Sequence, residues 1–207
     1  MILGAVLAGG QSSRFGSDKA MAELDGRTLL SRAVEALQAQ CDAVVVVGRE
    51  EAPVPTLPDR PRPGMGPLGG IAAALHHAAE AGYDTVLTCP VDAVGLAGTV
   101  AADLAPSPAY CADQPVIGLW PASARAPLDA MLAGTGKHSM RAFAGLIGAR
   151  AVQLAVLPAN INTPADLESA ERRSHGLRAS GRFRHLGSPF RYAGHLHHRR
   201  ARGHGSG

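Results

Sequence analysis

Three short apolar runs, each halted within a residue or two by Gly or Pro, constrain this chain more than any other feature. Ile2–Leu7 ends before Gly9-Gly10, Ala43–Val47 is closed by Gly48, and Thr85–Cys89 is stopped at once by Pro90. Runs of five or six residues without polar alternation read as strands buried on both faces. Between them lie segments of helical period. In Thr28–Gln40 the residues Leu29, Leu30, Ala33, Val34 and Leu37 share one face, and Leu68–Ala81 is a helix of small residues. Further strands are expected at Thr56–Leu57, Tyr110–Ala112, Val116–Trp120 and Ala151–Val156. Short helices are expected at Gly98–Leu104, Pro127–Leu132 and Ser139–Leu146. Thr163 caps a last helix that has Pro164 in its first turn and Asp166 and Glu168 near its positive end, and that runs to about Arg173. Strands alternating with helices give an α/β fold, a mostly parallel sheet layered by helices. Ligands of such sheets bind beyond the carboxyl ends of the strands, here the loops after Leu7, Val47, Leu57 and Cys89.

Charge divides the 207 residues in two. No acid follows Glu171, and residues 172–207 carry nine of the twenty Lys and Arg and six of the nine His. That leaves eleven basic against seventeen acidic side chains in residues 1–171, a net of −6. A fold that grips nucleic acid through its body would carry the opposite sign, so no nucleic-acid partner is expected. Residues 1–173 read as one domain and 174–207 as a basic tail rich in Arg, His and Gly, with no period to bury and therefore disordered. No stretch approaches the roughly 18 apolar residues of a membrane span, and the first apolar run lacks the basic flank of a signal peptide. Cys41, Cys89 and Cys111 are odd in number and far apart, which argues against a zinc ribbon or disulfide framework and for the cytoplasm.

The loop after the first strand carries the chemistry. It reads Leu7-Ala8-Gly9-Gly10-Gln11-Ser12-Ser13-Arg14-Phe15-Gly16-Ser17-Asp18-Lys19. Its glycines allow close backbone approach, its successive N–H groups can form an anion nest, and its serines, Arg14 and Lys19 supply further donors and two cations. Those parts suit a triphosphate. The loop is neither a Walker A sequence nor a dinucleotide fingerprint, since neither GK[ST] nor G-x-G-x-x-G occurs. Lys19 is one of only two lysines against eighteen arginines, and the two cations are not interchangeable at an anion site.

This loop resembles the signature of nucleotidyltransferases that activate small phosphorylated molecules, and most of all the molybdenum cofactor guanylyltransferases. Three further segments resemble that family in order along the chain: Arg62-Pro63-Gly64-Met65-Gly66-Pro67-Leu68-Gly69-Gly70-Ile71, Cys89-Pro90-Val91-Asp92, and Asn160-Ile161-Asn162-Thr163-Pro164-Ala165-Asp166-Leu167. The resemblance covers about residues 2–173. It implies a three-layer α/β/α, Rossmann-like nucleotidyltransferase fold and transfer of GMP from GTP to the terminal phosphate of molybdopterin, with release of pyrophosphate. Gly9 and the Gly66–Ile71 segment resemble the guanylyl branch rather than its cytidylyl relatives. Val47 departs from the family, where Asn is common; Arg49 or backbone would have to supply that contact.

The roles implied are specific. Arg14, Lys19 and Asp92 are the expected catalytic residues. Leu7, Ala8, Gly9, Gly10, Lys19, Asp59 and Asp92 are expected to bind GTP: bare backbone at the strand end reads a base edge, and Asp59 accepts from guanine or ribose. Asp92, a hard oxygen ligand at a strand's carboxyl end, is expected to hold Mg²⁺. Asn160 and Asn162 are expected to orient the acceptor phosphate or the metal's waters, although Asn before a helix is also an ordinary cap. GTP, molybdopterin (with or without molybdenum) and a molybdoenzyme or chaperone that takes the product are the expected partners. The nearest alternatives are CTP-dependent transfer to molybdopterin and transfer to a sugar phosphate or cobinamide phosphate. A different class of reading, binding of RNA or an acidic partner through the tail, is opposed by the acidic body. His76, His77 and His138 read as structural.

Overall fold

The structure is a computed structural model that describes residues 1–9, 18–136 and 138–179. In chain order its elements are β1 (Ile2–Leu7), a 3₁₀ turn (Lys19–Met21), β2 (Glu23–Leu24), β3 (Arg27–Thr28), α1 (Leu29–Gln38), β4 (Ala43–Val47), β5 (Thr56–Leu57), α2 (Pro67–Ala81), β6 (Thr85–Pro90), β7 (Ala93–Val94), α3 (Val100–Leu104), β8 (Ala109–Cys111), β9 (Gly118–Pro121), a second 3₁₀ turn (Ala122–Ala124), α4 (Arg125–Ala133), α5 (Met140–Leu146), β10 (Arg150–Val152), β11 (Ala159–Asn160) and α6 (Pro164–Ala179). Seven strands form one sheet in the order β10-β8-β9-β6-β1-β4-β5. Only β9 is reversed, pairing antiparallel with both β6 and β8.

The sheet is buried on both faces, as the unalternating runs require. Leu3, Ala5 and Leu7 of β1 join Val45 and Val47 of β4 in a core shared with α2, α4 and α5. Val6, Val44 and Val46 point the other way, onto Leu30, Ala33, Val34 and Leu37 of α1. Register agrees, with Leu3 opposite Ala43 and Leu7 opposite Val47. Thr28 caps α1, its hydroxyl accepting from the Ser31 N–H at 3.1 Å.

Four local expectations shift. Pro90 does not stop β6 but is its last residue, opposite Leu7. The β9 ladder ends at Thr88↔Gly118, so no acceptor waits for the N–H that proline lacks. The strand expected at Val116–Trp120 begins only at Gly118, because Ile117 N–H closes a turn onto Gln114 C=O at 2.9 Å. The strand expected over Ala151–Val156 is Arg150–Val152, as long as its three-residue partner β8. Finally, α6 continues past Arg173 to Ala179; the rest of the tail expected over 174–207, residues 180–207, lies outside the described residues. The β2–β3 hairpin went unread although Asp25-Gly26 sits at its turn, where Asp25 adopts φ 52° and Gly26 φ 71°. Asp-Gly is the ordinary signal for such a turn.

Candidate active site

The carboxyl ends of β1, β4, β5 and β6 open into a cleft of about 1130 Å³. Leu7, Ala8, Gly9, Lys19, Asp59, Asp92, Asn160 and Asn162 all line it. Gly10 and Arg14 lie outside the described residues.

Its floor is backbone. Ala8 N–H donates to Val47 C=O at 2.9 Å, and Gly48 N–H to Leu57 C=O at 3.0 Å. Gly48 has φ +86°, and a Cβ there would lie 2.5 Å from Gly9 Cα. The two chain segments touch backbone to backbone, which only glycine permits. At this end Asp59 stands beside Gly9, Gly48 and Gly70. Burial pushes its carboxyl above its ordinary 3.8, opposed by a hydrogen bond from the Gly64 backbone. The first turn of α2, with Gly66 as its N-cap and Pro67 at N1, borders the same space through Gly66, Pro67 and Gly70. Pro67 has no N–H and the Gly69 N–H is given to Gly66 C=O at 3.1 Å, so what this helix start offers an anion is chiefly the positive end of its dipole.

The centre is ionic. Lys19 Nζ donates to Asp92 Oδ2 at 2.7 Å and to Asn162 Oδ1 at 3.0 Å. Residues 73 and 143 positions away in sequence are thus drawn onto one ammonium. The two charged side chains are 12% and 19% exposed, so the pair is sheltered but open to a ligand. Asn162 is itself fixed. Asp166 Oδ2 accepts from the N–H of Asn162 at 2.9 Å, and from the N–H and hydroxyl of Thr163 at 2.8 and 2.9 Å. Those bonds, first that from Asn162, hold the Asp166 carboxyl below its ordinary 3.8. Asn162 therefore serves both helix entry and the cleft. Asn160 pairs with Ala93 in the β11–β7 ladder and reaches the cleft wall.

Two features of the site went beyond the sequence reading. Arg49, expected as a substitute at the nucleotide, lines the cleft together with a partner: its guanidinium grips Asp18 through two bonds of 2.8 and 2.6 Å. That pair holds Asp18 below and Arg49 above their ordinary values, and it fastens the residue before Lys19 to the β4–β5 loop. The other is the 112–117 loop between β8 and β9, from which Asp113, Gln114, Pro115 and Val116 line the far wall. Its Asp-Gln-Pro offered a turn signal but no known motif.

Among the described residues no group of three His, Cys, Asp or Glu could hold a metal ion. Asp92, one of four aspartates that line the cleft, offers a hard oxygen donor of the kind used by a cation that takes its other ligands from phosphate and water.

Parallel strand ends, a lysine beside a carboxylate and a helix start facing the same cleft suit a nucleotidyltransferase, and the family match makes the chain one. Residues 4–153 match the MobA-like NTP transferase domain. The chain belongs to the molybdenum cofactor guanylyltransferase family. It is 37% identical over 180 residues to the molybdenum cofactor guanylyltransferase of Acidiphilium cryptum, covering 80% of this chain and 92% of that protein. It is 36% identical to that of Rhodobacter capsulatus, covering 83% and 96%. In fold it is similar to molybdopterin-guanine dinucleotide biosynthesis protein A of Archaeoglobus fulgidus, with a TM-score of 0.64 at 22% identity over 85% of this chain and 100% of that one. A cytidylyltransferase of Thermus thermophilus acting in 2-C-methyl-D-erythritol 4-phosphate chemistry shares the fold at TM-score 0.57 and 16% identity, over 84% and 98%.

Proposed function

We propose that the chain transfers GMP from GTP to the terminal phosphate of molybdopterin and releases pyrophosphate, forming molybdopterin guanine dinucleotide. The observation that carries this reading is the Lys19–Asp92–Asn162 cluster in the cleft, in a chain whose relatives with that named activity align along four fifths of its length.

An acceptor phosphate oxygen attacks the α-phosphorus, and the bond from that phosphorus to the bridging oxygen of pyrophosphate breaks. The acceptor is already anionic near neutral pH, so no general base is needed. The obstacle is charge, and catalysis consists of positioning and neutralisation. Lys19 exchanges its protein partners for phosphate oxygens. The α2 N-terminus turns its positive dipole end towards the triphosphate, and the backbone of Leu7, Ala8 and Gly9 lies against the base. Asp59 accepts from the guanine N–H groups, and Asn160 and Asn162 orient the acceptor phosphate. Arg14 and Gly10 complete the loop in this proposal, on the strength of the motif.

Nucleotidyltransferases of this family generally use a divalent metal. Here we assign Mg²⁺ to Asp92, where it would neutralise charge on the phosphate oxygens. The proposed partners are GTP, molybdopterin and a molybdoenzyme or chaperone that receives the dinucleotide. Among the described residues no helix is long and apolar enough to cross a membrane, and Cys41, Cys89 and Cys111 are free thiols; we place the protein in the cytoplasm. Incubation with Mg²⁺, molybdopterin and each of the four NTPs, followed by pyrophosphate release, tests the proposal. GTP should be turned over fastest. Equal or better turnover of CTP would move the chain to the cytidylyl branch.

A further inference from the structure

The cleft has two ends of unlike origin. Asp59 follows edge strand β5, three places from β6 in the sheet order, while Asp113 follows β8, two places from β6 on the other side. At about 4.8 Å per strand, the two carboxylates flank the Asp92 strand end by roughly 14 Å and 10 Å of sheet. The reaction joins two molecules across that centre, so a nucleotide on the Asp59 side leaves the Asp113 side to the acceptor.

The 112–117 loop is built as a fixed surface. Ile117 N–H donates to Gln114 C=O at 2.9 Å, and Cys111 N–H to Ile117 C=O at 2.8 Å. Below it, the fully buried Thr88 hydroxyl donates to Val116 C=O at 2.6 Å and accepts from Trp120 Nε1 at 2.9 Å. Gln114 Nε2 donates to Pro158 C=O at 2.8 Å, tying the loop to the segment that leads into Asn160 and Asn162. On this platform Asp113 is exposed within the cleft wall, with no hydrogen bond or ion pair among the described residues. A carboxylate so placed, beside Pro115 and Val116, offers two acceptor oxygens next to an apolar surface.

We infer that Asp113 is a specificity residue for the acceptor and binds the pyrimidine edge of its pterin through the ring N–H and the 2-amino group. This rests on the proposed function. A pterin and a guanine share that amino–imide edge, and a carboxylate matches it with two parallel charge-assisted bonds. The same recognition chemistry would then stand at both ends of the cleft, Asp59 for the base of the donor and Asp113 for the ring of the acceptor.

The test compares the full-length wild type with Asp113→Asn and Asp113→Ala, with thermal melts confirming folding. At saturating Mg²⁺ and GTP, the KM for molybdopterin should rise about tenfold or more in both variants, with the KM for GTP unchanged. As a second reading, 6-hydroxymethylpterin phosphate and its lumazine counterpart, which carries a carbonyl in place of the 2-amino group, are compared as inhibitors. Wild type should prefer the pterin about tenfold or more, and the variants should lose that preference. An acceptor KM and a pterin-to-lumazine ratio within twofold of wild type would overturn the inference, as would an equal rise in the GTP KM. Absence of wild-type turnover with molybdopterin would instead overturn the functional reading, and the inhibitor ratio would still decide the Asp113 contact.

Discussion

Lys19 has two protein partners, Asp92 and Asn162; in the proposed reaction a triphosphate would displace them and leave Asp92 to the cation. Asp92→Ala should therefore be the most damaging single change in the described site. Loss of metal-based charge neutralisation should cost roughly a hundredfold or more in rate, about 3 kcal/mol at 1.4 kcal/mol per decade. Lys19→Ala should cost less, because the α2 N-terminus still faces the phosphates, and Lys19→Arg should fall between Lys19→Ala and wild type. Steady-state kinetics with Mg²⁺ varied to saturation, alongside a melt, checks the order; an Asp92→Ala enzyme within threefold of wild type would remove Asp92 from the metal. Asp59 carries a pH prediction. Its carboxyl is raised by burial; if it accepts from guanine as proposed, only the carboxylate takes both N–H groups, so GTP affinity should weaken as pH falls through that raised value, starting above the ordinary 3.8. An Asp59→Asn variant should lose this acid limb in a KM-versus-pH profile. Stability follows the opposite sign: a raised carboxyl favours the folded state as pH falls, while Asp18 and Asp166, both depressed, contribute stability above 3.8 that disappears as pH drops through their folded values. Lys19 and Asp92 were legible as residues because each sits in a recognisable string. Their contact was not, since nothing in sequence spacing measures a separation of 73 positions closed by the fold.

At the scale of elements, the junction between the β1 and β4 ends is the least forgiving. Gly48→Ala would force a left-handed conformation and drive a methyl group into Gly9. The conformational term alone is about 1–2 kcal/mol, and the clash falls on backbone that cannot rotate away. The expected result is a melting temperature lowered by several degrees and GTP binding weakened more than the loss of stability explains, measurable by calorimetry on the folded fraction. Thr88→Val should also destabilise, by about 1–3 kcal/mol, because Trp120 Nε1 would be buried without its acceptor. The three central strands and α1 were readable almost to the residue, since their apolar spacing is what the sheet buries. Apart from β5, the two-residue strands were not. β7, β11 and the β2–β3 hairpin are two residues per strand, too short for any period, and exist because neighbouring segments supply their hydrogen bonds. The partner of Arg49 was hidden for a related reason: a cation near a strand end looks unpaired until its carboxylate, Asp18, is placed.

For the molecule as a whole, the question is where the catalytic body stops. α6 is part of it: Ala170 is buried with Leu24, Leu29 and Ile161, and Leu167 packs against them. The helix start also holds Asn162 in the cleft. A chain ending at Ala179 should keep wild-type GTP turnover and melting temperature, since the basic segment beyond it matches no motif. Shortening into α6 before Ala170 should lose both. A large loss on cutting after Ala179 would show that the remaining 28 residues belong to the folded body, and thermal melts with pyrophosphate assays on the two truncations decide it. The change of charge at Glu171 was visible in composition, but α6 crosses it: helix geometry is indifferent to a switch from acidic to basic side chains when no proline or turn interrupts it.

The single reversed strand, β9, makes β8 and β9 a hairpin whose loop emerges at the ligand edge. Had β9 run parallel, its connection from β8 would have crossed a whole sheet face, and its start would lie at the opposite rim. As built, residues 112–117 are tied to β6 through Thr88 and to Pro158 through Gln114 and lie apart from β1, β4 and β5, to which the proposed function assigns the nucleotide. If the proposed halves hold, the fold separates two inheritances: a lineage would keep its activated donor and adopt a new acceptor by rewriting one short hairpin, and relatives that share this sheet should diverge there before they diverge at Lys19 or Asp92.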